Sequence, residues 1–289
     1  MPAPHPRTML ISLLFCLLTA SGASAADAAS KPVDLRAAEA SVFSQNGEDG
    51  VIEKIFEIIP PGPKFAVEFG ANDGVNASNM RNLVLNRGWS SLQIEGDPVL
   101  AKKLAANYKD HPTTQTLEAW VWPGNIEILF EENGVPADLD LLVIDIDSND
   151  YYVWRAIHDF RPKVVMIEMN QFFPPPQLMV IDFHPMNYWD HTYYTGASLQ
   201  SLYNLGKKKG YELVHVMSFG PNVFFVAEEY FDRFRIQDNS PTALYVPPPA
   251  AVMKQYSHQW GRNGVPWPKG KRNLTWKRLV IPKKFILDR

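Results

Sequence analysis

Acids recur at or near the ends of the apolar runs in this chain. Glu68 sits inside FAVEFG, and Glu95 closes SLQIE. Asp145, Asp147, Asn149 and Asp150 follow LLVI, and Glu168 closes VVMIE, with Asn170 just beyond. Carboxylates gathered at strand ends can accept hydrogen bonds from paired hydroxyls, hold a proton or bind a cation. Gly70 and Gly74 follow the first run, with Asn72 and Asp73 between them. Glycines there suit a backbone that turns sharply and lies against a ligand. The spacing is not the three-glycine dinucleotide fingerprint, because position 72 is Asn. Glu68, an acid within an apolar strand, needs a partner; a salt-bridged strand residue and a ligand-binding one both satisfy that need.

Two further groups carry chemistry. Asp145, Asp147 and Asn149 alternate like the start of a calcium loop. Asp150 stands where that loop needs Gly, and Ala156 where it needs Glu, so an EF-hand is rejected. His184, Asp190 and His191 lie in an aromatic and Pro-rich insert, 171–195. Either His184 or His191 fits a general base that takes a hydroxyl proton, or an ordinary surface histidine. The aromatic side chains of the insert fit either a platform for a sugar ring or a packed lid.

Alternating strands and helices must position these residues. A helical apolar face runs through Val51, Ile52, Ile55, Phe56 and Ile59 after SQNGED and stops at Pro60–Pro63. Strands are expected at Phe65–Phe69, Trp89–Glu95, Gln115–Val121, Leu139–Asp145 and Lys163–Glu168. Helices are expected between them at Asn79–Asn86, Val99–Tyr108, Ile126–Glu132 and Tyr152–Phe160. Continuously apolar strands alternating with helices predict a parallel sheet covered on both faces. After the insert come a helix, Ser198–Lys209, and a hairpin, Tyr211–Met217 with Val223–Ala227. The result is α/β: a doubly wound, Rossmann-like, mostly parallel seven-stranded sheet with a closing antiparallel hairpin. In such sheets ligands bind at the carboxyl ends of the strands. An acid ending the second strand suits a ribose, which makes Glu95 the best single ligand assignment.

Five blocks then occur in order: SQNGEDGVI at 44–52, VEFGANDG at 67–74, GW with IEG at 88–96, IDIDSND at 144–150 and GASLQSL at 196–202. Together they resemble the FkbM-type methyltransferases, closest to the branch opening with SQNGEDG, over roughly residues 41–228. The resemblance implies the methyltransferase form of the fold, S-adenosylmethionine as donor and transfer to a hydroxyl oxygen of a glycan or small metabolite. It implies that Glu68, Gly70, Asn72 and Gly74 hold the donor's amino-acid portion and turn, with Glu95 on the ribose. Asp147, His184 or His191 would serve the acceptor. A magnesium site on Asp147 and Asn170, as in metal-dependent O-methyltransferases, is left open, and no metal ligand is assigned. Ser148 departs from the Gly expected after IDID. The competing reading is an exported binding protein that keeps the fold without the chemistry.

Composition sets the address. Hydrophobic residues make up 46% and charged residues 20% of 289, typical of a globular protein. Arg7, the apolar Met9–Leu18 and Ala23-Ser24-Ala25 form a secretory signal peptide, expected to be cleaved after residue 25. Residues 26–43 are a polar lead-in, 44–230 the methyltransferase-like domain and 231–289 a basic extension with Trp and Pro. The expected product is exported, with no stable membrane insertion; a misread apolar start would leave it cytoplasmic. Residues 251–289 carry ten Lys or Arg against one acid, Asp288, while residues 1–250 carry eighteen against thirty. Such asymmetry fits a tail folded back on an acidic body or one that meets an anionic partner. A small-molecule or glycan acceptor is the expected partner, and no nucleic acid.

Overall fold

The computed structural model describes residues 1, 31–189 and 194–252, and the backbone of 277–278. The expected signal peptide, apart from Met1, together with His191, Asp190 and most of the basic extension, lies outside the described residues.

Seven strands form one sheet: β1 Phe65–Phe69, β2 Ser90–Glu95, β3 Thr114–Glu118, β4 Leu141–Ile144, β5 Val164–Glu168, β6 Tyr211–Val216 and β7 Asn222–Ala227. Their order across the sheet is β3-β2-β1-β4-β5-β7-β6. The first five run parallel, with Val67 beside Leu92 and Leu142. β7 is antiparallel to β5, with Ile167 opposite Val223, and β6 is antiparallel to β7. The strand order reverses at β1 and β4, so a crevice opens beyond their carboxyl ends.

Successive side chains point to opposite faces of a strand. Val67, Phe69, Ile94, Leu142, Ile144 and Val165 face one cluster, with Trp154, Phe130 and Phe225 packed on them. Ala66, Leu141, Val143, Val164 and Met166 face another, covered by Val51, Ile52 and Ile55. Both faces are buried, which is why these strands read as unbroken apolar runs.

Helices α1 Glu48–Ile58, α2 Arg81–Arg87, α3 Pro98–Tyr108, α4 Ile126–Glu132, α5 Asp150–Ala156 and α6 Leu199–Lys208 cover the sheet. α1 starts later than SQNGED implied. One oxygen of Asp49 accepts from the backbone N–H groups of Val42, Phe43 and Ser44 at 2.7–2.8 Å, holding that loop non-helical. α5 ends at Ala156 rather than Phe160, because the Glu127 carboxylate takes the N–H groups of His158 and Asp159. β3 stops at Glu118, short of the expected Val121. Residues 32–43 of the lead-in pack on the sheet side: Leu35 is buried with Val51 and Met166, and Glu39 meets His215 at 2.9 Å. A two-residue ladder pairs Met179–Val180 with Lys277–Arg278. Among the described residues, no helix is long and apolar enough to cross a membrane.

Candidate functional site

β1 ends in a turn that only glycine can make. Gly70 has φ 83°, and a Cβ on it would lie 1.6 Å from the carbonyl oxygen of Asp145. The chain therefore leaves β1 against the end of β4 with no room for a side chain. Asn72 follows in the left-handed region, φ 53°. Its N–H donates to Glu95 Oε2 at 2.7 Å, and the N–H of Asp97 donates to Glu95 Oε1 at 2.8 Å. The carboxylate ending β2 thus clamps two loops, and each oxygen keeps a further lone pair for a ligand. Asp97 caps α3, accepting from Val99 and Leu100.

A cavity of about 440 Å³ opens over these strand ends, a size that suits a small-molecule ligand. Gly70, Asn72 and Glu95 line one side, and Asp145, Asp147 and Ser148 the floor. Trp120, just past β3, and Leu100 both add apolar surface to the cavity's lining. The Trp120 indole N–H donates to the carbonyl of Pro185 at 2.7 Å, tying the insert to the β3 side. Met186, Asn187, Tyr188 and Trp189 bring that insert over the cavity.

The floor is electrostatically unusual. Asp145, Asp147 and Glu168 each place an oxygen within 4.8 Å of the others. Burial, then repulsion from Asp147 and Asp150, holds the Asp145 carboxyl well above the usual carboxylate range. Burial, then Asp145, Asp147 and Asp150, does the same for Glu168. Asp147, at φ 57°, is raised by burial but held down by a hydrogen bond from Glu168. All three carboxyls are thus shifted toward holding protons, and Asp145 and Asp147 line the cavity. A divalent cation is the other species that three such oxygens can hold. Asp150 is also buried and pushed up to about 7, yet it accepts from the N–H groups of Ile146 and Ser148 and braces the loop.

The residues singled out in the sequence divide. Gly70, Asn72, Glu95 and Asp147 line the cavity, and Glu68, Gly74 and His184 do not. Glu68 stands beside Gln93, one pleat or roughly 7 Å deeper than Glu95. It is 2% exposed, pushed up to about 7 by burial, and receives Asn79 Nδ2 on Oε1 at 3.2 Å, while Oε2 has no partner. Gly74 is a packing glycine: a Cβ there would lie 2.5 Å from Leu104 and Tyr108, and Tyr108 donates to its carbonyl. His184 is exposed, with Nδ1 accepting from the N–H of Met186 at 3.2 Å and its carbonyl accepting from Asn149. Asn170 is also bound locally, donating to the carbonyl of Thr195. Sequence reasoning assigned no role to Trp120 or Glu168. The position of Glu168 at the end of β5 was the available signal for one of them. Ser148, the departure from Gly, turns its hydroxyl to the carbonyls of Ile146 and Asn187, so it anchors the insert.

No family model and no curated protein sequence matches this chain. Solved structures do. The N-terminal domain of EvdMO1 with SAH bound is 13% identical, covering 64% of this chain and 82% of its own, with a TM-score of 0.43. An S-adenosylmethionine-dependent methyltransferase from Clostridium acetobutylicum ATCC 824 is 11% identical over 62% of this chain and 88% of its own, with a TM-score of 0.38. The mitomycin 7-O-methyltransferase MmcR is 16% identical over 56% and 48%, with a TM-score of 0.36. The strand order itself, five parallel strands closed by a reversed hairpin, is that of the Rossmann-like methyltransferase fold.

Proposed function

We propose that this chain is an S-adenosylmethionine-dependent methyltransferase of the FkbM type, acting on a hydroxyl of a glycan or small metabolite after export. The observation that carries the reading is Glu95. It ends β2 inside the cavity, held by the N–H groups of Asn72 and Asp97, with acceptor capacity left for two neighbouring hydroxyls. The residues present fit the donor. A carboxylate meets the ribose, the Gly70–Asn72 turn brings bare backbone to its amino-acid end, and Trp120 and Leu100 offer apolar surface to its base. When bound, the sulfonium supplies an activated methyl group, so the protein's task is alignment and removal of one proton.

Asp147 takes that proton from the acceptor hydroxyl. Its carboxylate faces the cavity, and burial raises its basicity toward the range useful for general-base work. Glu168 steadies it by donating a hydrogen bond, and Asp145 discourages ionisation of Glu168. The insert residues Tyr188 and Trp189 stand at the mouth, where an acceptor ring would lie.

Calorimetric titration with S-adenosylmethionine tests the reading. The wild type binds it, and Glu95→Gln binds about tenfold to a hundredfold more weakly, since hydrogen bonds to charged groups contribute about 1.5–3 kcal/mol. Gln keeps an acceptor for one loop N–H and turns an NH2 to the other, so melting curves should fall modestly, and titration is run well below the variant's melting temperature. A wild type with no donor affinity would overturn the proposal and leave the fold as a binding scaffold.

A further inference from the structure

A second cavity, also about 440 Å³, lies at the opposite edge of the sheet, where the chain enters β5 and β6. Its charged lining comes from the end of α5, the loop 157–161 and the end of α6: Arg155, His158, Arg161, Lys208 and Lys209. Among the described residues no carboxylate lines it, although the chain as a whole is net −3. Tyr151, Phe160 and Tyr211 supply aromatic surface between the cations.

The cations are not equivalent. Arg161 is neutralised: it pairs with Glu229 at 2.8 Å and also donates to the carbonyls of Lys209 and Gly210. Arg155 has no carboxylate within ion-pair distance among the described residues; its guanidinium lies over the rings of Tyr152, at 5.1 Å, and Tyr151, at 5.9 Å. Lys209 likewise has no ion-pair partner there. It gives one of its three donors to the carbonyl of Ile157, and burial pushes its ammonium down. Glu127, beyond ion-pair distance, offsets part of that burial; a partly desolvated ammonium and a guanidinium without an ion-pair partner among the described residues, in one cavity, still favour an anion there. Helix ends account for basic residues here in part, but not for a concave, carboxylate-free cavity.

We propose that this second cavity binds the phosphate group of a small organic ligand, with Arg155 and Lys209 as its charge partners and Tyr151 and Phe160 against its apolar part. Arg offers a planar fork matched to phosphate oxygens, and Lys adds a point charge. A soluble phosphate monoester and a lipid headgroup present the same chemistry. The site is independent of the methyltransferase reading, since neither its residues nor its cavity are shared with the donor crevice.

Calorimetry on the full chain at low salt uses phenyl phosphate as the soluble probe, and co-sedimentation uses phosphatidylcholine vesicles with and without phosphatidic acid. Saturable binding of phenyl phosphate is expected, weakened about tenfold or more in Arg155→Ala. Arg155→Lys, which keeps the charge but not the fork, should fall between the two and serves if the alanine variant folds poorly. Affinity for S-adenosylmethionine stays unchanged in both. Binding to phosphatidic acid vesicles alone, lost in the same variants, supports the site with lipid as the source. No binding of either probe by the wild type, or equal binding by wild type and both variants, overturns the proposal.

Discussion

Glu95 and the trio Asp145, Asp147 and Glu168 are carboxylates at the same edge of the same sheet, yet they live in opposite surroundings. Glu95 is met by two backbone N–H groups, one from each flanking loop. The trio is half-buried and crowded against itself, and burial with mutual repulsion raises its carboxyls. Residue type and strand position are alike, and the donors differ. A carboxylate supplied with N–H groups is fixed in place and suits the hydroxyls of a neutral polyol. One starved of donors holds protons and suits proton transfer. The chemistry of each strand end is therefore decided by the loop that follows it.

Asp147→Asn breaks the comparison most severely. It keeps the shape and removes the base, so methyl transfer should fall by roughly 10²–10⁴ while donor affinity holds within about twofold. Transfer of labelled methyl from S-adenosylmethionine to a glycan extract, beside calorimetry, reads both. In the wild type the rate should climb with pH through a limb displaced upward from the ordinary aspartate value, because burial raises Asp147, which must be ionised to accept a proton. Equal losses of rate and donor affinity would place Asp147 on the donor instead.

Glu68 extends the comparison to stability. Its carboxyl is pushed up to about 7 from 4.5 by burial, so the folded state holds a proton that the unfolded state releases. Stability is then full at low pH and declines as pH rises between about 4.5 and 7. Glu68→Gln keeps an oxygen for Asn79 and removes the ionisation. It should stabilise the protein above pH 7 by on the order of 3 kcal/mol and flatten that decline. Chemical denaturation at pH 5 and pH 8 measures it; an unchanged pH dependence would mean that Glu68 stays ionised in the fold.

Much of the fold was legible because burial on both faces leaves unbroken apolar strands, and because the glycines and prolines punctuate them. Glu95 was legible for the same reason: it ends a strand. The place of Glu68 beside Gln93, two residues short of Glu95, needs the register, which no local pattern prints. Gly74 looked like Gly70 in sequence. Its role is decided by Tyr108, 34 residues on, whose ring fills the space where a side chain would stand. His184 of the insert drew notice as a residue type, but the loop turns it outward and its Nδ1 accepts from the N–H of Met186. Long-range contacts separate a ligand residue from a packing one, and a single sequence does not carry them.

The smallest expected effect is also the one that decides what the trio is. Three carboxylate oxygens within 4.8 Å of one another must be relieved by a shared proton or by a divalent cation. Burial and mutual repulsion raise these carboxyls and so favour their taking up a proton, which a cation would have to displace. Dialysis against EDTA should therefore leave donor affinity and methyl transfer within about twofold of the starting protein, a margin small beside the 10²–10⁴ expected of a lost base. If chelation abolishes transfer and magnesium restores it, the trio is a metal site. Asp147 then becomes a ligand that orients the acceptor oxygen, and the contrast with Glu95 changes from donor-rich against donor-poor to hydroxyl-binding against cation-binding.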